Sequence, residues 1–275
     1  MKKNKIFLLG SLSAISTLAL PIAAVSCGGE ATNSTVEDYL LNDFKLSSKT
    51  LNLTDEKMTE IPQALFSYVN IKRQMEVSQK GLRAKNVIAA SGISNIAQIN
   101  LPKTLTHIQN GAFEGLSSVT VINFNEADLL YIGDNAFKGT FAPKSDSFEG
   151  FKLTLPLTVS NIGSYAFAQN SLMSVNLAEL KDLKVLRNGV FANNLLTELD
   201  LANIEEVEDY ALANNKFEAL TIPASVLEFS PKAFDYNNAP KDAVKVKLTV
   251  LNENLKNYLK EELVKNPNHL YTIVE

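Results

Sequence analysis

Apolar positions along this chain recur in a fixed order. An aliphatic residue is followed four and five places later by Ala-Phe or a near equivalent. The clearest copies are 108–113 (IQNGAF), 132–137 (IGDNAF) and 162–167 (IGSYAF), with drift at 186–191 (LRNGVF), 207–212 (VEDYAL) and 229–234 (FSPKAF). Pairs of apolar residues separated by one position lie between these copies: Ile122/Phe124, Val175/Leu177, Leu199/Leu201 and Leu220/Ile222. Such period-two pairs predict short strands buried on one face.

The same step fits 61–66 (IPQALF), with Leu51 and Leu53 as the strand before it and Met75 and Val77 as the strand pair after it. It fits 85–90 more loosely, because Lys85 and Ala90 stand in the Ile and Phe columns. The Phe-equivalent positions are then 66, 90, 113, 137, 167, 191, 212 and 234, spaced by 24, 23, 24, 30, 24, 21 and 22 residues. Self-similarity at this period predicts a solenoid of about eight copies, each burying its apolar face only against its neighbours. The one long interval contains 139–151 (GTFAPKSDSFEGF), expected as a loop insertion. Repeated Phe at one position predicts a stacked aromatic column. Asn170, Asn194, Asn215 and Asn237 each lie three residues after the Phe position. Asn tolerates a left-handed backbone and bonds the chain locally, so these are expected as turn-makers, with Gly92, Gly115 and Gly139 in the related turn.

The combined pattern I-x-x-x-A-F-x-G/N-x-x-L-x-x-I-x-L-P resembles the BspA-type leucine-rich repeat of bacterial surface proteins, over about residues 50–235. The resemblance implies an α/β leucine-rich-repeat solenoid: a curved parallel sheet, with short turns and helical segments on the convex side. An open solenoid exposes strand edges and core, so both ends need closing. Residues 37–50, with Tyr39, Leu40, Leu41 and Phe44, are expected as an N-terminal cap, and 51–243 as the repeats. Residues 244–275 are expected as a C-terminal cap. There an alternating strand (VKVKLTV) precedes an amphipathic helix with Leu255, Leu259 and Leu263 on one face and a last strand near 271–274.

The N-terminus reads as an address. Lys2, Lys3 and Lys5 precede an apolar run from Ile6 to about Val25, which ends in Ser26-Cys27-Gly28. A charged start, an apolar core and small residues at the end mark a secretory signal. The segment resembles the lipobox of bacterial lipoproteins, in the form common among mycoplasma surface lipoproteins. The resemblance implies removal of 1–26 and a lipid (diacylglyceryl, with acyl chains such as palmitate) on Cys27. An uncleaved membrane helix and a plain cleaved signal are the alternative readings. Residues 27–36 then form a lipidated flexible tether of small and polar side chains.

Composition narrows the function. A net charge of −4 and scattered lysines argue against nucleic-acid binding, and one cysteine excludes an intramolecular disulfide. Among the sequence motifs there is no H-E-x-x-H, Walker A or G-x-S-x-G pattern. His107 and His269 are far apart, and Asp128 and Asp134 lack the spacing of a calcium loop. The cluster Glu205, Glu206, Glu208 and Asp209 is expected on a solvated face.

Strand parity locates the outside. If Val175 and Leu177 point inward, then Ser174 and Asn176 point outward. By the same rule Asn100, Asn123, Thr154, Glu198, Asp200 and Thr221 share that surface. These eight are the candidate partner-binding residues; contact through 139–151 and simple solvation are the alternatives. The expected function is a non-enzymatic, membrane-anchored surface lipoprotein, held on the extracellular face by lipid on Cys27. It would bind extracellular or host proteins or glycans, without cofactor or metal and with its oligomeric state left open. A structural or antigenic coat lacking a specific ligand is the alternative. A solute-binding lipoprotein needs two lobes around a cleft, for which the repeats leave no residues.

Overall fold

The computed structural model describes residues 49–53, 58–61, 63–70, 72, 92–142, 149–237, 239–240 and 243–274. The expected signal, the tether and nearly all of the N-terminal cap lie outside the described residues.

The chain coils into about seven turns. The first three carry β1 (Thr50–Asn52) and β2 (Glu60–Ile61), β3 (Gln98–Asn100) and β4 (His107–Ile108), and β5 (Val121–Asn123) and β6 (Tyr131–Ile132). The next four carry β7 (Phe151–Leu153) and β8 (Asn161–Ile162), β9 (Leu172–Val175) and β10 (Val185–Leu186), β11 (Glu206–Val207) alone, and β12 (Ala219–Ile222) and β13 (Glu228–Phe229). β14 (Val246–Val250), helix α1 (Glu253–Lys265) and β15 (Tyr271–Ile273) follow.

All pairing is parallel, and it runs along two sides of the coil. The longer strands pair as β1-β3-β5, β7-β9 and β12-β14-β15; the two-residue strands pair as β2-β4-β6-β8 and β10-β11-β13. The second ladder was not expected: the Ile before each Ala-Phe is a core column and also a strand. The architecture is therefore a parallel β-solenoid, with less helix than the expected α/β form. Among the described residues α-helix occurs only within 68–72 and in α1.

A third ladder runs through the Ala-Phe turns. In the turns of Phe66, Phe113, Phe137, Phe167 and Phe191, the N–H groups two before the Phe, at the Phe, and two after it donate to carbonyls of the next turn. Gly111, Phe113 and Gly115 donate to Asp134, Ala136 and Lys138; Asn135, Phe137 and Gly139 donate to Ser164, Ala166 and Ala168. From Phe113 to Phe191 the ladder goes with left-handed backbone on both sides of the Phe. Gly111 (φ 62°) and Gly115 (φ 80°) supply it in one turn, and Tyr165 (φ 56°) and Gln169 (φ 57°) in another. Glycine adopts this region without a Cβ penalty, whereas Tyr and Gln are held there by the ladder.

The Phe column stacks as its repetition predicts. Phe66, Phe113, Phe137, Phe167 and Phe191 lie 5.2–5.9 Å apart with interplanar angles of 6–14°. Each fully buried ring contributes about 2–3 kcal/mol. The column also corrects the repeat count. Phe66 stacks directly on Phe113, and Thr50 pairs directly with Gln98, so no turn intervenes between them. The expected copy at 85–90 and the expected strand at Met75 and Val77 lie outside the described residues.

The insertion at 139–151 is anchored where it leaves and re-enters the coil. Phe141 and Phe151 are buried and stack at 4.4 Å. At the C-terminal end Leu255 and Leu259 of α1 are buried, and Asn252 Oδ1 caps the helix by accepting from Leu255 N at 3.2 Å. Tyr271 is buried and donates its hydroxyl to Leu259 O at 3.0 Å; that burial pushes its phenol pKa well up.

Candidate interaction face

The longer strands run along one side of the coil and hold four of the eight candidate residues, Asn100, Asn123, Ser174 and Thr221. Thr154 and Asn176 lie just past β7 and β9, and the strand expected at Leu199 and Leu201 does not form, so Glu198 and Asp200 sit in irregular chain. Thr154, Glu198, Asp200 and Thr221 are exposed. Asp200 is partly engaged, accepting from Ala202 N at 2.9 Å. Thr221 pairs with Thr249 of β14, which extends the face by one strand.

Asn100 and Asn123 are half-buried and bonded to each other. Asn123 Nδ2 donates to Asn100 Oδ1, whose own Nδ2 donates to Asn52 Oδ1, and Gln98 Nε2 reaches the same Asn100 oxygen at 2.9 Å. These amides form a ladder along β1, β3 and β5, each spending much of its bonding capacity on its neighbours. Ser174 is half-buried opposite Lys152. Asn176 bonds backbone: its Oδ1 accepts from Leu155 N at 2.9 Å and its Nδ2 donates to Leu155 O at 3.0 Å. Its side chain thus bridges to the preceding turn just past β9, a role that parity alone cannot reveal.

The Asn column three residues after each Phe also has a role different from the expected one. The left-handed residues are the ones before it, Gln169, Asn193 and Asn214. Asn170 and Asn194 instead point inward and are buried. Asn194 accepts from Leu172 N at 3.0 Å and donates to Phe167 O and Phe191 O, both at 2.9 Å. Asn170 and Asn215 repeat the scheme in their own turns. Thr140 fills the same place one turn earlier, donating to Phe113 O at 2.8 Å. Asn237, last in the column, is exposed.

Of the residues weighed for chemistry, His269 is buried with its Nδ1 2.7 Å from Asp235 Oδ2, and Asp235 Oδ1 also accepts from Leu270 N. His107 is half-buried beside Tyr131. Asp134 accepts from Ser164 N at 2.7 Å and so holds one turn to the next. Among the described residues no group of three His, Cys, Asp or Glu could hold a metal ion. Among the same residues no helix is long and apolar enough to cross a membrane.

The acidic cluster lies beside the second ladder and is partly neutralised. Glu205 pairs with Lys184 at 3.5 Å, Glu208 with Arg187 at 3.5 Å, and Asp209 with Lys232 at 3.3 Å. Bonding to Asp209 pushes the Lys232 pKa up. The cluster borders a groove of about 820 Å³ between β13, the turn before it and α1. Asn188 Oδ1, on a residue lining this groove, is enclosed and has no donor among the described residues.

Residues 144–240 match the family model of the BspA type leucine rich repeat region, in six copies. Among solved structures, the crystal structure of a leucine-rich repeat protein from Bacteroides ovatus ATCC 8483 is similar. Identity is 20%, the match covers 73% of this chain and 57% of that one, and the TM-score is 0.38. The chain thus spans little more than half the length of that protein. No curated protein matches.

Proposed function

We propose that this is a lipid-anchored, non-enzymatic surface protein that binds extracellular or host proteins or glycans through the face of its longer strands. The observation that carries the reading is the set of exposed polar side chains in and beside those strands: Lys152, Thr221 and Lys247 within them, Thr154 just past β7, and Glu198 and Asp200 in the strandless segment of an intervening turn. A broad, gently varied polar surface on a rigid parallel scaffold suits recognition of a large partner better than capture of a small molecule. The match of 144–240 to a surface-repeat family supports the same reading. Cys27, the single cysteine, at the end of an apolar run, supports the anchor.

Two experiments test it. Radiolabelled palmitate should enter the protein in bacteria and be lost in Cys27→Ser; label retained in that variant, or never taken up by the wild type, overturns the anchor. Binding of the full chain to immobilised mammalian cell extract and to a glycan array should be lost when Thr154, Glu198 and Thr221 are all replaced by Arg. Asn176 is left intact, since changing it would disturb Leu155. Binding indifferent to the triple change, or absent in the wild type, overturns the role of this face.

A further inference from the structure

The second ladder ends on an open strand edge. In each pairing of short strands, the inward residue directs its carbonyl at the following turn. Ile108 O accepts from Gly133 N, Ile132 O from Gly163 N, Leu186 O from Glu208 N and Val207 O from Ser230 N, at 2.7–2.9 Å. Phe229 holds this position in β13. Glu228 N and Ser230 N both point back to the preceding turn, at Glu205 O and Val207 O, so the N–H and carbonyl of Phe229 point forward. Among the described residues no short strand follows them: the chain continues into β14 and then α1. Among the described residues nothing donates to Phe229 O or Leu227 O. The groove of about 820 Å³ runs along this segment, with Asn254, Tyr258 and Glu262 of α1 on its far wall.

We propose that the β13 edge receives an extended, lysine-bearing peptide segment of another protein as an added strand. Three observations fix the chemistry of the occupant. The groove's charged side chains are five carboxylates (Glu206, Glu208, Asp209, Glu228 and Glu262) against one ammonium, Lys232, and among the described residues Glu206 and Glu228 make no ion pair. Leu227 and Tyr258, 64% and 43% exposed, offer apolar cover on either side. The forward-pointing N–H and carbonyl of Phe229 call for an extended backbone as their partner. Strand addition takes affinity from backbone bonds and selectivity from alternate side chains, so a segment alternating Lys with an aliphatic residue fits both. A second copy of this chain is disfavoured as occupant, because its net charge is −4.

The test uses the full chain in detergent and the peptide acetyl-(Lys-Val)4-amide, with a version N-methylated at every residue so that it cannot donate from its backbone. Fluorescence anisotropy should show at least about tenfold weaker binding of the methylated peptide. Glu206→Gln with Glu228→Gln should weaken the unmethylated peptide several-fold at low salt. Hydrogen exchange over 226–231 should slow at the Phe229 amide when the unmethylated peptide binds. Equal binding of both peptides, unchanged exchange at Phe229, or no binding overturns the proposal. Protection that rises with protein concentration alone makes a second copy the occupant and overturns it equally. Replacing Thr154, Glu198 and Thr221 by Arg should leave peptide binding unchanged, which separates this groove from the face under Proposed function.

Discussion

Replacing Asn194 by Ala tests how the turns are joined. Asn194 is 3% exposed and its amide makes three bonds of 3.0 Å or less, to one backbone N–H and two carbonyls, besides a 3.4 Å bond to Ala192 O. The three bonds are not equal. Phe167 O keeps a second donor in Asn170 Nδ2, and Phe191 O keeps one in Asn215 Nδ2. Leu172 N, in a buried residue, has Asn194 Oδ1 as its acceptor. The variant therefore strands one buried N–H, at about 1–3 kcal/mol, and removes two shared bonds at the low end of about 0.5–1.5 kcal/mol each. The expected loss is about 2–4 kcal/mol, read from the urea midpoint with the slope unchanged. Asn194→Asp should be worse near neutral pH, since it aims a carboxylate oxygen at two carbonyls. Its deficit should shrink as pH falls and that carboxyl takes up a proton it can donate. Asn237→Ala, at the exposed end of the same column, should stay within about 0.5 kcal/mol of wild type. Asn194→Ala as stable as wild type, or Asp as good as Asn, would refute the reasoning.

Phe137→Ala removes a ring stacked on Phe113, Phe167 and Phe141 and should cost about 3–5 kcal/mol in urea unfolding. Gly189→Ala and Gly111→Ala compare strain with crowding, since both sites have φ near +60°. A methyl at Gly111 meets only Glu114 Oε2 at 3.7 Å, whereas one at Gly189 would overlap the Tyr165 ring. The first should cost about 1 kcal/mol in thermal unfolding and the second clearly more. Asp235→Ala deprives the buried His269 and Leu270 N of their shared acceptor. It should cost about 2 kcal/mol and speed hydrogen exchange over 246–274 before the rest of the coil.

The interior was legible because it repeats. The Ile, Ala and Phe columns recur at nearly constant spacing, and each became a buried column. The β14, α1 and β15 segments follow from an alternating run and from leucines four residues apart, signals that need no tertiary context. Less legible was whatever depends on a neighbouring turn. At two residues long the second ladder is too short for an alternating pattern, and its pairing comes from stacking. The span 66–113 contains two intervals of repeat length, so spacing alone suggested a turn where the register Thr50 to Gln98 leaves none. On the candidate face, parity correctly separates inward from outward for Thr154 and Thr221. It cannot see that Asn176 reaches back to Leu155, or that Asn100 and Asn123 bond each other, because both depend on which residue lies one coil away.

The gaps in the two sheet ladders fall at different heights. The longer-strand ladder is interrupted between β5 and β7, where β6 and β8 remain paired, and between β9 and β12, where β10, β11 and β13 remain paired. The short-strand ladder is interrupted between β8 and β10, where β7 and β9 remain paired. The turns bond across all three places, through Asn135 to Ser164, Tyr165 to Asn188, and Gly189 to Asp209 with Tyr210 to Lys232. The arrangement is that of bricks laid with overlapping joints. A pull along the axis finds no level at which every course parts together. The Phe turns act as the continuous mortar, and a crack would have to step sideways through buried rings to cross the wall.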